Sequence, residues 1–92
     1  MSYTLEYLSV VLKEDVPVLD GEVLRRIKSA LEDKLVPSPD VFGKPLRRLL
    51  KGYRVLRAHD YRIVFRIEPR IVLVVAIRHR RDVYRILQKR IR

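Results

Sequence analysis

The hydrophobic period of this 92-residue chain changes at Gly52. Ahead of it, Leu24, Ile27, Leu31 and Leu35 recur at the three- and four-residue spacing of one helix face, with Arg25, Arg26, Lys28, Glu32 and Asp33 turned to water. After it, Tyr53 to Ala58, Tyr61 to Ile67 and Ile71 to Arg78 are short, rich in β-branched and aromatic residues, and read with period two. Strands this close in sequence must form an antiparallel meander, because a parallel crossover needs about a dozen residues or more. One half of the chain therefore supplies helices and the other a sheet.

The remaining segments fit around this division. Tyr3, Leu5 and Tyr7 alternate with polar neighbours as a first strand. Ser9 is placed to cap a short helix in which Leu12 and Val16 share a face and which Pro17 ends. Asp20 is the better N-cap for the helix that follows, with Glu22 in its first turn where the dipole favours an acid. The two helices read as a hairpin. Pro37, Pro39, Gly43 and Pro45 mark irregular backbone, with Leu46, Leu49 and Leu50 as a single helical turn. From Asp82 to Arg92, Val83, Ile86 or Leu87, and Arg90 or Ile91 recur at helical spacing, and the basic end suits the dipole. The expected fold is α+β in the order βααβββα: a small antiparallel β-sheet with an N-terminal helical hairpin and a C-terminal helix. A chain of 92 residues has material for one modest core, so residues 1–92 are read as one domain.

Several function classes drop out. With no cysteine, neither disulfides nor thiolate metal sites are available, and the two histidines, His59 and His79, lack metal-ligand spacing. The apolar run Ile71 to Ile77 is too short to span a bilayer, and the polar N-terminus resembles no signal peptide, so a cytoplasmic protein with no membrane partner is expected. There is no Gly-rich phosphate loop and no Ser-His-Asp set. Neither a metal nor an organic cofactor is expected, and any catalysis would have to run on Arg, Lys and Tyr.

Charge gives the positive signal. Residues 43–92 hold 16 of the 21 Lys and Arg but only three acids, Asp60, Glu68 and Asp82, for a net charge of +13; the first 42 residues carry −3. Like charge concentrated in one folded half favours a polyanionic partner, and nucleic acid is the common one. Strand parity sharpens this. Tyr61, Ile63, Phe65 and Ile67 form one face and Arg62, Val64 and Arg66 the other. Matching apolar faces pairs Ile63 with Ile77, Phe65 with Val75 and Ile67 with Leu73, which sets Arg62 opposite Arg78. A two-residue turn at His59 and Asp60 sets Arg57 opposite Arg62. Arg57, Arg62 and Arg78 then form a row across three strands, about 5 Å apart, over a floor of Val55, Val64, Val74 and Ala76. Like charges opposite one another destabilise a sheet, so the row implies a site for phosphate, bound by planar bidentate donors. Arg is equally at home on a solvated sheet face, where long side chains splay into water. Lys51, Arg54, Arg66, Arg80 and Arg81 surround the row in sequence as further candidates for nucleic-acid contact, although Arg54 has the opposite parity. Tyr84 opens the last helix, either as a packing residue or as part of the site. The parity of His79 excludes it from the row, His59 is a turn residue, and Tyr53 is either a rim aromatic or a base-stacking platform.

The stretch Gly52-Tyr53-Arg54-Val55-Leu56-Arg57-Ala58-His59-Asp60-Tyr61-Arg62-Ile63-Val64-Phe65, with Val74-Val75-Ala76-Ile77-Arg78-His79-Arg80-Arg81-Asp82-Val83-Tyr84, resembles the signature of the RelE/ParE toxin family of toxin–antitoxin systems. Element order and length agree, so the resemblance covers nearly the whole chain. It implies, for RelE-type members, a ribosome-dependent endonuclease that cuts mRNA by attack of a ribose 2′-hydroxyl on the adjacent phosphate, without metal. By position, Arg62 and Arg78 would hold the phosphate, Tyr84 would orient or deprotonate the hydroxyl or stack on the base, and Arg57 matches a basic position of the same row. A cognate antitoxin, the ribosome and mRNA are the implied partners. Where RelE-type nucleases carry a second basic residue two positions before Arg57, this chain has Val55. ParE-type members share the fold, lack the nuclease set and act on DNA gyrase; a basic RNA-binding module without catalysis is the third reading.

Overall fold

The computed structural model describes residues 2–91. Its centre is a five-stranded sheet in the order β1-β5-β4-β3-β2, built from β1 (Thr4–Tyr7), β2 (Lys44–Pro45), β3 (Arg54–Ala58), β4 (Tyr61–Glu68) and β5 (Ile71–His79). The meander β3-β4-β5 is antiparallel throughout, as its short turns require. The first strand, whose place the sequence left open, joins the outer edge of β5 in parallel, Thr4 beside Ile71 and Tyr7 beside Val74. Its long return through the helical half makes that direction possible.

The helices divide between the two faces. Residues 9–18 are helical, with a wide π turn at Val11–Asp15 and a 3₁₀ turn at Val16–Val18 that contains Pro17. Ser9 lies inside this segment instead of capping it, and the inward residues are Val11 and Asp15, while Leu12 is 54% exposed. The wider turn rotates the expected face. Helix α1 (Gly21–Ala30) starts where the sequence indicated, with the Asp20 Oδ1 accepting the Val23 amide at 2.9 Å, and runs into a second π turn at Leu31–Leu35. Ile27, Leu31 and Leu35 are buried from it against Leu56, Ile63, Phe65, Val72, Val74 and Ile77 of the sheet. A short helix α2 (Pro39–Phe42) and a 3₁₀ turn at Arg48–Leu50 lead back to β3.

The other sheet face is closed as well. Val55, Val64, Val75 and Ala76 pack under Val83 and Leu87 of helix α3 (Val83–Arg90). This corrects two expectations. The apolar floor is a second core beneath α3 and not an open surface, and Val74 belongs to the opposite layer. The second follows from a β-bulge: Ile63 pairs with Ile77 and Val64 with Ala76, but Phe65 then pairs with Val74 and Ile67 with Val72, so Val75 is the extra residue. Phe65–Val75 and Ile67–Leu73 do not form. Arg62 opposite Arg78 and Arg57 opposite Arg62 are unaffected, because they lie beyond the bulge. The hairpin turns on His59 at φ 58°, a left-handed conformation that the register needs.

Candidate functional site

The register brings Arg57, Arg62 and Arg78 into one row at the turn end of the sheet, next to the start of α3. Their charged ends then part. Arg62 bends toward the hairpin, where its Nη1 donates to the carbonyls of His59 at 2.8 Å and Tyr61 at 2.9 Å. Arg78 bends the other way, its Nη1 donating to Asp15 Oδ1 at 3.2 Å and its Nη2 lying 3.9 Å from Asp82 Oδ2. Arg57 is exposed. The repulsion implied by the sequence is therefore relieved inside the protein by carbonyls and carboxylates, before any anion binds.

The relief centres on Asp15, which sequence reasoning missed. Beyond Tyr7 the edge of β5 loses its strand partner, and the first helical segment takes over. Asp15, with 0% exposure, accepts the Ile77 amide at 2.9 Å as a strand carbonyl would. The same carboxylate accepts Arg90 twice, Nη2 to Oδ1 at 2.6 Å and Nη1 to Oδ2 at 2.8 Å, a bidentate pair. Arg90 Nη1 also reaches the carbonyl of Val75, the bulge residue, at 2.9 Å. Burial pushes the Asp15 carboxyl up, but the bonds from Arg90, the Ile77 amide and Arg78 outweigh it and hold the group below its ordinary value. Arg90 is raised in turn, chiefly by its bond to Asp15. Signals for both residues existed. Val11, Asp15 and Leu19 are spaced by four and all buried, and Arg90 continues the buried stripe of Val83 and Leu87.

Tyr84 stands in the first turn of α3 and is 39% exposed, facing solvent and not packed in the core. Arg80 joins the turn end of the sheet: its amide donates to the Asp60 carbonyl at 2.7 Å and its Nε is 3.7 Å from the Asp60 carboxylate. Arg81 is exposed beside it, its amide donating to His79 Nδ1 at 3.2 Å. The His79 ring meets Tyr61 edge-on at 5.5 Å on the helical-hairpin side, away from the row. His59 Nε2 accepts from Arg26 Nη1 at 2.8 Å.

Three candidates lie elsewhere. Arg54 is on the opposite face, as its parity indicated, and ties down the α2 loop through the carbonyls of Gly43 at 2.9 Å and Asp40 at 3.3 Å. Lys51 is exposed at the far end of β3. Arg66, at the far end of β4, covers the Tyr53 ring at 5.6 Å and pairs with Glu68 at 3.6 Å, so Tyr53 is a rim aromatic already occupied by a cation. Among the described residues no cluster of three or more His, Asp or Glu could hold a metal, and no helix is long and apolar enough to cross a membrane.

Chemically, the turn end of the sheet offers guanidinium donors, a phenol and a carboxylate-anchored arginine. Comparison with known proteins gives these a context. A family profile described as ParE toxin of type II toxin-antitoxin system, parDE, matches residues 11–84. Toxin RelG of Mycobacterium tuberculosis is 33% identical over 87 residues, 92% of this chain and 99% of that protein. The fold matches the toxin–antitoxin complex RelBE2 of the same organism with TM-score 0.80 and 27% identity, over 86% of this chain and 99% of that one. It also matches the RelB–RelE antitoxin–toxin complex of Methanococcus jannaschii with TM-score 0.68 and 18% identity, over 88% and 96%. By profile, sequence and fold, the chain belongs to the RelE/ParE toxin family of type II toxin–antitoxin systems.

Proposed function

We propose that this toxin is a ribosome-dependent mRNA endonuclease and that residues 1–92 act as one toxin domain. The observation that carries the reading is the row Arg57–Arg62–Arg78, aligned by strand register, together with an exposed Tyr84 in the first turn of α3. In the reaction, the 2′-oxygen of one ribose bonds to the adjacent phosphorus as the bond to the 5′-oxygen breaks. The proton leaves the 2′-hydroxyl, a proton is delivered to the 5′-oxygen, and a cyclic phosphate remains. Arg62 and Arg78 hold the phosphate and stabilise its extra negative charge as the pentacoordinate transition state forms. Tyr84 orients or deprotonates the 2′-hydroxyl, or stacks on the base. Arg57, Arg80 and Arg81 receive the flanking backbone at the same end of the sheet. Lys51 and Arg66, at the other end, are left for more distant contacts with ribosomal or messenger RNA. Arg54, on the opposite face, ties down the α2 loop.

A cognate antitoxin belongs to the same reading: RelBE2 and the archaeal RelB–RelE protein are complexes with one, and an acidic segment would meet the basic half of this chain. The site of action would be the cytoplasmic ribosome. Cleavage of ribosome-programmed mRNA by the wild type and by Arg78→Ala tests the proposal. The variant is expected to lose about 10²-fold or more in rate, the usual effect of removing one charge-stabilising donor. A wild type that leaves programmed mRNA intact would refute it.

One observation favours a second reading. Val55, where RelE-type nucleases carry a basic residue, is buried at 9% exposure in the core beneath α3 and offers nothing to a substrate. A ParE-type toxin acting on DNA gyrase would produce gyrase-linked DNA damage in expressing cells and no mRNA cleavage.

A further inference from the structure

Arg78 is the only arginine of the row whose side chain is anchored by a carboxylate among the described residues. That carboxylate, Asp15, comes from the other half of the chain, 63 residues away, and is itself fixed by the Ile77 amide and by Arg90. A guanidinium on a flexible side chain must otherwise be ordered at the moment of reaction, and a misplacement of about 1 Å can cost 10²-fold. Nη1 is engaged by Asp15, which leaves the Nε–Nη2 edge with only the longer contact to Asp82. Asp82 is the weaker contact on that side, at 3.9 Å, and its other oxygen is buried without a hydrogen-bond partner among the described residues.

We infer that Asp15 and Arg90 are positioning residues for Arg78: the bidentate Asp15–Arg90 pair holds the carboxylate at the edge of β5 so that it fixes one side of the Arg78 guanidinium and aims the other at the substrate phosphate. The inference rests on the nuclease reading for the identity of that phosphate, though not for the anchoring itself. Arg90 acts one step further back. By taking both carboxylate oxygens and the Val75 carbonyl, it keeps Asp15 from rotating toward solvent.

The test uses Asp15→Asn, which keeps the side-chain shape and an acceptor for the Ile77 amide but removes the charge. A second variant, Asp15→Leu with Arg90→Met, replaces the pair by apolar groups of similar size and is expected to stay folded. Circular dichroism and thermal melting establish folding for both. In single-turnover cleavage of ribosome-bound mRNA, each folded variant is expected to lose about tenfold to 10²-fold in rate at saturation, with apparent KM changed less than threefold. Reorientation of a donor affects the transition state more than binding, whereas a merely structural defect would lower the active fraction of each variant in step with its loss of melting temperature. A wild-type rate in folded Asp15→Asn overturns the inference.

If the wild type cuts no mRNA, the nuclease reading falls and a second readout decides this one. Nitrogen-15 NMR of the arginine side chains, assigned with Arg78→Lys, should show separate Nη1 and Nη2 resonances for Arg78 in the wild type, because the bond to Asp15 hinders rotation. In Asp15→Asn they should merge while Arg62 is unchanged. Separation that persists in the variant refutes the anchoring.

Discussion

Replacing Asp15 by alanine should be the most damaging single charge removal in this chain. The carboxylate is fully buried, Arg90 is 8% exposed and Arg78 24%, so the substitution strands one guanidinium in the interior, loosens a second and leaves the Ile77 amide without its acceptor. Breaking one side of a buried pair costs about 3–5 kcal/mol, and an orphaned buried amide about 1–3 kcal/mol. The effects overlap, since Arg90 can recover some water, so a loss of about 3–5 kcal/mol is expected. Against a total of about 5–15 kcal/mol for a domain of this kind, that is a large share. At about 4–8 °C per kcal/mol, Tm should fall by more than about 12 °C. Urea denaturation followed by circular dichroism at neutral pH measures it. Glu22→Ala is the control: that side chain is 62% exposed and pairs with Arg25 and Arg26 at the surface, so its loss should stay below about 1 kcal/mol. If Asp15→Ala costs less than about 1 kcal/mol, the buried network does not support the fold.

Acid should expose the same network. Because the Asp15 carboxyl lies below its ordinary value in the folded state, its contribution is complete above the unfolded pKa, near about 3.9, and is lost as pH falls through the lower folded value. Wild type should therefore lose stability relative to Asp15→Leu with Arg90→Met below about pH 4, and parallel curves would contradict this. Gly43→Ala should destabilise by about 1–3 kcal/mol in urea, since a Cβ there would overlap the ring of the fully buried Phe65, which cannot shift freely. Asp20→Ala should cost about 1 kcal/mol in the same assay through loss of the cap on the Val23 amide.

What could be read from the sequence followed from clean periodicity. The hairpin at His59-Asp60 and the pairing of Arg57, Arg62 and Arg78 were legible because Arg57 and Arg62 alternate with apolar neighbours on a surface that tolerates only one register. The bulge was not. Ile71 to Ile77 is apolar at every position because both faces of β5 are buried, so an extra residue at Val75 leaves no trace in the alternation. Ordinary helical periodicity turns Leu12 inward, but the π turn shifts that spacing and leaves Leu12 exposed. Asp15 follows Glu14 and reads as part of a solvated acidic pair; only its four-residue spacing to Val11 and Leu19 marked it as inward. The row was visible in the strand pattern, but the directions of its side chains depended on these partners from the other half of the chain.

The bond between Asp15 and Arg90 joins positions 75 residues apart, nearly the length of the chain. During synthesis, which proceeds from the N-terminus, the carboxylate emerges 75 residues ahead of its bidentate partner. Until then Asp15 lacks the cation that takes both of its oxygens. A nascent chain therefore cannot complete the Asp15–Arg90 pair until residue 90 has been made.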